Sequence, residues 1–123
     1  MSFVPRKSTN KFRSVKTEYG GNLFHSKGEA GYAMELDWRI KAGDIKSYER
    51  QVKIDLTVNG VHICNYFVDF KVINKHGGVE YHEYKGAVLA LFMLKWRLFQ
   101  ALINEIDPGA ELIVIKHTQY RKK

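Results

Sequence analysis

The chain has 123 residues, which fits a single domain, and its 45% apolar and 13% aromatic content excludes global disorder. One cysteine, Cys64, excludes an internal disulfide and with it the class of disulfide-stabilised secreted domains. Twenty Lys and Arg against thirteen Asp and Glu give a net charge of +7, which is typical of a small domain that meets a polyanion.

The N-terminal segment, residues 1–22, is polar and basic, which predicts an arm with little fixed structure. We expect a single folded domain over residues 23–118 and a basic tail over residues 119–123. The basic side chains of the arm are candidates for contact with phosphate groups, and the alternative is a solvated arm that aids solubility. These side chains are Arg6, Lys7, Lys11, Arg13 and Lys16.

The first helix is predicted to begin near Ser26, because Ser26 and Glu29 have the spacing of a capping box, and to end at Gly43. Its inward stripe is predicted to be Ala33, Leu36 and Ile40. Glu29 precedes this stripe by helical steps, so it shares the inward face. Two roles stay open for Glu29: a residue of the helix cap, or a carboxylate that reaches the sheet.

Three strands follow the helix. Gln51–Val58 alternates polar and apolar residues, and Asn59-Gly60 after it is a strong hairpin pattern. Val61–Ile73 is the returning strand, Asn74–Gly78 a turn, and Val79–Lys85 the third strand.

A long helix is predicted over residues 87–106, ended by Pro108-Gly109, and a strand buried on both faces over residues 112–115. The inward stripe of this helix is Leu89, Phe92, Trp96, Phe99, Ile103 and Ile106. The chain therefore reads as helix, three-stranded meander, helix and strand. This order predicts an α/β (α+β) fold around one mixed central sheet.

The second hairpin brings acidic residues together. A turn centred on His76 places Asp69 opposite Glu83, where two like charges need a compensating cation such as Mg²⁺ or Mn²⁺. Lys85 lies two residues beyond Glu83 and so shares its face of the strand, where a lysine is suited to hold a water or a phosphate oxygen. The alternative is two unrelated surface acids that Lys71 or Lys85 neutralises.

These residues also carry a resemblance. Asp69 within Tyr66-Phe67-Val68-Asp69-Phe70, followed by Glu83-Tyr84-Lys85, resembles the bipartite motif of the PD-(D/E)XK nuclease superfamily. The upstream run of residues 24–30, then residues 41–45 and Gln51, is similar to a phage family of small predicted nucleases. A transposon-encoded endonuclease subunit has a similar Ser-x-x-Glu helix start.

The resemblance implies a restriction-endonuclease-like core and Mg²⁺-dependent cleavage of DNA, with Mn²⁺ as a substitute. It implies that Glu29, Asp69 and Glu83 bind the metal and that Lys85 lies beside the attacking water. Branched DNA, such as a Holliday junction in phage DNA metabolism, is the substrate class it favours. Because symmetric cutting of a junction needs two active sites, we expect a homodimer. Outward leucines of the long helix could form its interface or instead cover the sheet.

Two further polar residues are candidates for contact with DNA. Lys95 falls within the apolar arc of the long helix, where a lysine either extends to the rim or faces the site and contacts a phosphate. Gln51, at the start of its predicted strand, could orient a water or a backbone phosphate, or be an ordinary polar residue of an edge strand.

Several classes of function are disfavoured. No glycine-rich phosphate loop is present, so we expect no nucleotide cofactor. The longest apolar stretch, Ala87–Leu94, is too short to cross a bilayer, so we expect no membrane partner and a cytoplasmic location, the host bacterial cytoplasm if a phage encodes the chain. The alternatives to a nuclease are an inactive nucleic-acid-binding module of the same fold and an interaction protein whose acids are merely on the surface.

Overall fold

The fold is organised around one mixed four-stranded sheet with helices packed against it. The computed structural model describes residues 17–24, 26–85 and 90–116, with the backbone alone at residues 17, 22–24 and 85. The elements in chain order are β1 (Thr17–Tyr19), β2 (Asn22–Phe24), α1 (Lys27–Ala42), β3 (Ile45–Val58), β4 (Val61–Asn74), β5 (Val79–Lys85), α2 (Ala90–Ile106) and β6 (Glu111–Lys116).

The sheet has the strand order β3-β4-β5-β6. Its first three strands are antiparallel neighbours because tight turns join them, whereas β6 runs parallel to β5 because the α2 crossover lies between them. The predicted α/β (α+β) class, with a helix, a three-stranded meander, a helix and a strand around one mixed sheet, is confirmed.

A short antiparallel hairpin of β1 and β2 precedes α1, and the sequence patterns do not predict it. Tyr19 packs against the buried face of α1 and donates its hydroxyl to the Asp37 carboxylate. Residues 17–22 of the predicted arm therefore have a defined structure, because an aromatic anchor attaches them to the helix. Residues 1–16 and the predicted tail, 119–123, lie outside the described residues.

Helix α1 begins and ends where its capping residues predict. The Ser26 hydroxyl oxygen accepts a hydrogen bond from the Glu29 N–H at 3.1 Å, and Gly43 ends the helix with a φ of 84°. Ala33 and Leu36 are fully buried, as expected. The inward placement of Ile40 is wrong, because the last turn of the helix extends beyond the core and leaves Ile40 37% exposed.

Strand β3 is longer than predicted, covering Ile45–Val58 rather than 51–58. Its first residues, 45–50, are mostly charged and polar, so they become a strand through their pairing with β4 and show little apolar alternation. Asn59 and Gly60 have φ angles of 51° and 81°, as a type I′ turn requires, and the predicted hairpin is confirmed. The observed bounds of β4 and β5 agree with the prediction within one residue.

Two groups of buried side chains form the core, one against each helix. The α1 core consists of Ala30, Tyr32, Ala33, Leu36, Ile45, Phe70, Val72 and Tyr84. The α2 core consists of Ile54, Leu56, Tyr66, Val68, Tyr81, Trp96, Phe99 and Leu102. Strand β4 contributes Phe70 to the first core and Val68 to the second. Asp69 therefore lies where the two cores meet.

Helix α2 is described over Ala90–Ile106, against a predicted range of 87–106. Trp96 and Phe99 of the predicted stripe are buried, while Leu89 lies outside the described residues. Of the outward leucines, Leu91 and Leu94 are 63% and 59% exposed, whereas Leu98 packs against the α2 core. The homodimer stays a prediction.

Strand β6 covers Glu111–Lys116, around the predicted residues 112–115. The prediction that it is buried on both faces is wrong. The strand lies at the edge of the sheet, and its apolar residues are only half-buried. No helix within the described ranges combines the length and the apolar character that a membrane span needs.

Two glycines of α1 make a matched test of this packing. A Cβ atom on Gly28 would lie 2.5 Å from ring carbons of Tyr84, whereas one on Gly31 would meet no atom within 4 Å. We expect Gly28→Ala to lower the free energy of unfolding by about 1–3 kcal/mol, because the Tyr84 ring must shift.

The control, Gly31→Ala, should raise the free energy of unfolding by up to about 1 kcal/mol, since alanine is the better helix former. Urea denaturation of both variants measures the difference. Equal effects of the two substitutions would contradict the close contact between Gly28 and Tyr84.

Candidate active site

The ends of β4 and β5 bring two carboxyl groups together. The predicted register is confirmed over the pairs from Ile73–Val79 to Phe70–His82, where the regular ladder ends. One step further, the Asp69 N–H donates to Glu83 Oε1 at 3.3 Å, and the Tyr84 N–H donates to Asp69 Oδ2 at 2.9 Å. The two carboxyl groups thus take over the role of backbone acceptors between the strands, and they meet as predicted.

Glu29 joins these acids from the first turn of α1. Its side chain is almost fully buried, at 3% exposure, as are Asp69 at 8% and Glu83 at 9%. Gln51 Nε2 lies 3.1 Å from Glu29 Oε2 and 3.1 Å from Asp69 Oδ1, and it donates to both oxygens. Glu29 therefore takes part in the helix cap through its N–H while its carboxylate turns toward Asp69.

Gln51 reaches this position through an unusual backbone. It lies in the middle of β3 rather than at its start, and its φ angle is 50°. The ladder with β4 pairs Arg50 with Phe70 and Val52 with Val68. Gln51 lies between these two pairs, at the level of Asp69, and is not itself paired in the ladder. A left-handed residue other than glycine costs about 1–3 kcal/mol and persists only when its surroundings hold it. The two hydrogen bonds of the Gln51 side-chain amide help to stabilise this backbone conformation.

Tyr66 is a second donor to the acidic group. Its hydroxyl donates to Glu83 Oε1 at 2.7 Å from within the α2 core. Burial, and then the charge of Glu83, raise the pKa of Tyr66 well above its usual value, so the phenol stays a donor. The sequence patterns give no indication of this role, because a tyrosine in an alternating strand is typical of an ordinary core residue.

The acids lie in an electrostatically unfavourable environment. Burial raises the pKa of Asp69, and the charges of Glu83 and Glu29 raise it further. Burial also raises the pKa of Glu83, although hydrogen bonds from Tyr66 and from the Asp69 backbone oppose the shift. None of the ion pairs between described side chains involves Asp69 or Glu83. Negative charge on these two carboxyls is therefore costly wherever no cation accompanies them.

The remaining predicted residues lie apart from the acids or outside the described side chains. Lys85 is the last residue of β5, and only its backbone is described, paired with Lys116 of β6. Lys95 Nζ donates to the Asn65 carbonyl oxygen at 3.2 Å, as expected of a lysine that extends to the rim. Contact of Lys95 with DNA stays a prediction. The basic residues of the arm lie outside the described residues; they are Arg6, Lys7, Lys11, Arg13 and Lys16.

Carboxylate oxygens are the donors that Mg²⁺ and Mn²⁺ prefer, and Glu29, Asp69 and Glu83 supply them from three different elements. As the described side chains stand, however, no three His, Cys, Asp or Glu are grouped closely enough to hold an ion together. The donor chemistry fits a hard divalent cation, while the present spacing of the described side chains does not bring three ligands together.

Comparison with known proteins gives one match. A family model described as "Protein of unknown function (DUF1064)" matches residues 9–121, which is most of the chain. No curated protein and no solved structure matches the chain significantly.

The raised pKa values predict how stability depends on pH. Because Asp69 and Glu83 bind protons more tightly in the folded protein, their contribution to stability is complete below the ordinary carboxyl pKa of about 4. It is lost as pH rises through the raised values. We therefore expect the melting temperature in EDTA to fall between about pH 5 and pH 8, and Asp69→Asn to reduce this fall.

Asp55→Asn is the control, because Asp55 is an exposed carboxyl whose pKa is lowered by hydrogen bonds from Thr57 and His62. It should leave the slope between pH 5 and pH 8 unchanged. Thermal melts across this range check both variants, and an Asp69→Asn variant with the same slope as the wild type would contradict the shifts.

Proposed function

The chain belongs to the DUF1064 family, whose description assigns no activity, and we propose that it is a metal-dependent DNA endonuclease that hydrolyses phosphodiester bonds. One observation carries the proposal. Carboxyl groups from α1, β4 and β5 converge, almost fully buried, beside the end of the β4–β5 ladder. A purely structural arrangement gains nothing from three such groups, since apolar residues of similar size would avoid their desolvation.

The donor set suits the cation that this activity requires. Glu29, Asp69 and Glu83 would hold Mg²⁺, or Mn²⁺ in its place, through oxygen ligands. When bound, such an ion polarises the scissile phosphate and lowers the pKa of a coordinated water. Positive charge at this point would also remove the electrostatic cost that raises the pKa of Asp69 and Glu83.

The other residues have supporting roles in this proposal. Tyr66 fixes one oxygen of Glu83 by its hydrogen bond, so the carboxylate has a defined orientation. Lys85 follows Glu83 by two residues in β5, and alternation along a strand predicts that its ammonium group lies on the same face. There it would hold the attacking water or a phosphate oxygen. The basic arm would bind the DNA backbone.

Branched DNA is the substrate class that we favour, in the manner of a Holliday-junction resolvase in phage DNA metabolism. A junction is cut symmetrically by two active sites, so this substrate requires a homodimer. The exposed Leu91 and Leu94 of α2 are candidates for its interface. A panel of labelled junction, flap, duplex and single-stranded DNAs, incubated with and without Mg²⁺, identifies the substrate.

Asp69→Ala and Lys85→Ala test the proposed chemistry. We expect each substitution to reduce Mg²⁺-dependent nicking by at least about 100-fold, because each removes a group that stabilises charge in the transition state. DNA binding, measured in a gel-shift assay, should remain close to that of the wild type. The matched controls are Asp55→Ala and Lys53→Ala, which alter an exposed carboxylate and an exposed ammonium group of β3.

The controls should cleave at the wild-type rate. Wild-type protein that binds DNA but cuts none of the panel with Mg²⁺ or Mn²⁺ would contradict the proposal and favour an inactive nucleic-acid-binding module. Protein that fails to bind DNA even at low salt would favour a role in protein interaction.

A further inference from the structure

We infer that the Gln51 amide lies where a divalent cation would bind between Glu29 and Asp69, and that a cation has to displace it to bind. The inference rests on the proposed function, since it concerns how the same carboxyl site is regulated. It starts from the position of Gln51 Nε2, which lies 3.1 Å from an oxygen of Glu29 and 3.1 Å from an oxygen of Asp69. Both acceptors are buried, so the amide offsets part of the cost of burying each of them.

The distances around Gln51 differ from those around a bound cation. An N–H donor holds an oxygen at about 3 Å, whereas Mg²⁺ binds oxygen at about 2.0–2.1 Å. The amide therefore keeps Glu29 and Asp69 about an ångström further from their shared centre than a cation would. It also occupies that centre with its own nitrogen. Binding of the cation and of the amide are for this reason mutually exclusive.

The backbone conformation of Gln51 indicates that its contacts with the two acids are a specific feature of the fold. Of the described residues other than glycine, Gln51 and Asn59 are the two with positive φ. Asn59 lies in a type I′ turn, which requires that conformation and suits asparagine. Gln51 lies within a strand, where the same conformation has no turn to serve. Its consequence is to place the amide between two acids that belong to other elements.

A competing amide lowers the apparent affinity of the site for a cation. Only molecules in which the amide has left the carboxyls can bind the cation. The apparent affinity for the cation scales with the fraction of such molecules. Once displaced, the amide would be available for the water or phosphate contact predicted from the sequence. Loading of the metal would thereby be coupled to the placement of Gln51.

The test is a calorimetric titration of the full chain with Mn²⁺ alone, with melting temperatures recorded with and without the ion. Gln51→Gly removes the amide and suits the positive φ. We expect it to bind Mn²⁺ about tenfold more tightly than the wild type, because two charge-assisted hydrogen bonds no longer compete. Its melting temperature should be lower than that of the wild type in EDTA and should rise more on saturation with Mn²⁺.

Asn59→Gly is the matched control, because it makes the same backbone change at a residue remote from the acids. It should bind Mn²⁺ as the wild type does. Gln51→Asn is the second variant and covers a failure of the glycine variant to fold. Asparagine tolerates positive φ, but its side chain is one methylene too short to hold both acids, so it should also bind Mn²⁺ more tightly.

The outcomes separate this inference from the proposed function. If the wild type binds Mn²⁺ and the Gln51 variants bind it equally or more weakly, the amide is not a competitor, and the inference falls while the nuclease proposal stands. If neither the wild type nor the variants bind Mn²⁺ at millimolar concentration, the proposed metal site itself is overturned, and the inference with it.

Discussion

The burial of three neighbouring carboxyl groups is the constraint on which the rest of the structure depends. Glu29, Asp69 and Glu83 are each less than a tenth exposed, and their mutual repulsion adds to the loss of hydration. Donors gathered from several elements offset this cost: the Gln51 amide, the Tyr66 hydroxyl and two backbone N–H groups. A fold selected for stability alone would have no reason to assemble them, and this supports the function that we propose for the site.

Parts of this arrangement follow from rules that act over a few residues. Ser26 and Glu29 indicate the helix start, Asn59-Gly60 indicates the first hairpin, and the length of the second turn gives the register that brings Asp69 to Glu83. The inward face of Glu29 likewise follows from helical periodicity. In each case the information lies within one element or one turn, so the residues themselves are sufficient.

Other features depend on contacts between distant elements and could not be predicted. The left-handed backbone of Gln51 has no turn pattern around it, because the acids that hold its amide are contributed by α1 and β4. The hydrogen bond of the Tyr66 hydroxyl could not be predicted for the same reason, since its partner Glu83 lies on β5. Ile40 departs from the helical stripe because the core ends before the last turn of α1, and helical periodicity does not tell where a core stops.

The position of Asp69 between the two cores also has a mechanical consequence. Glu29 belongs to the helix of one core, whereas the Tyr66 that holds Glu83 belongs to the other. A rigid shift of α1 relative to the sheet, such as the proposed DNA substrate would impose, would therefore change the separation of Glu29 from Asp69 and Glu83 without unfolding either core. Substitutions deep in the hydrophobic interior, far from any polar atom, would accordingly change the geometry of the carboxyl groups.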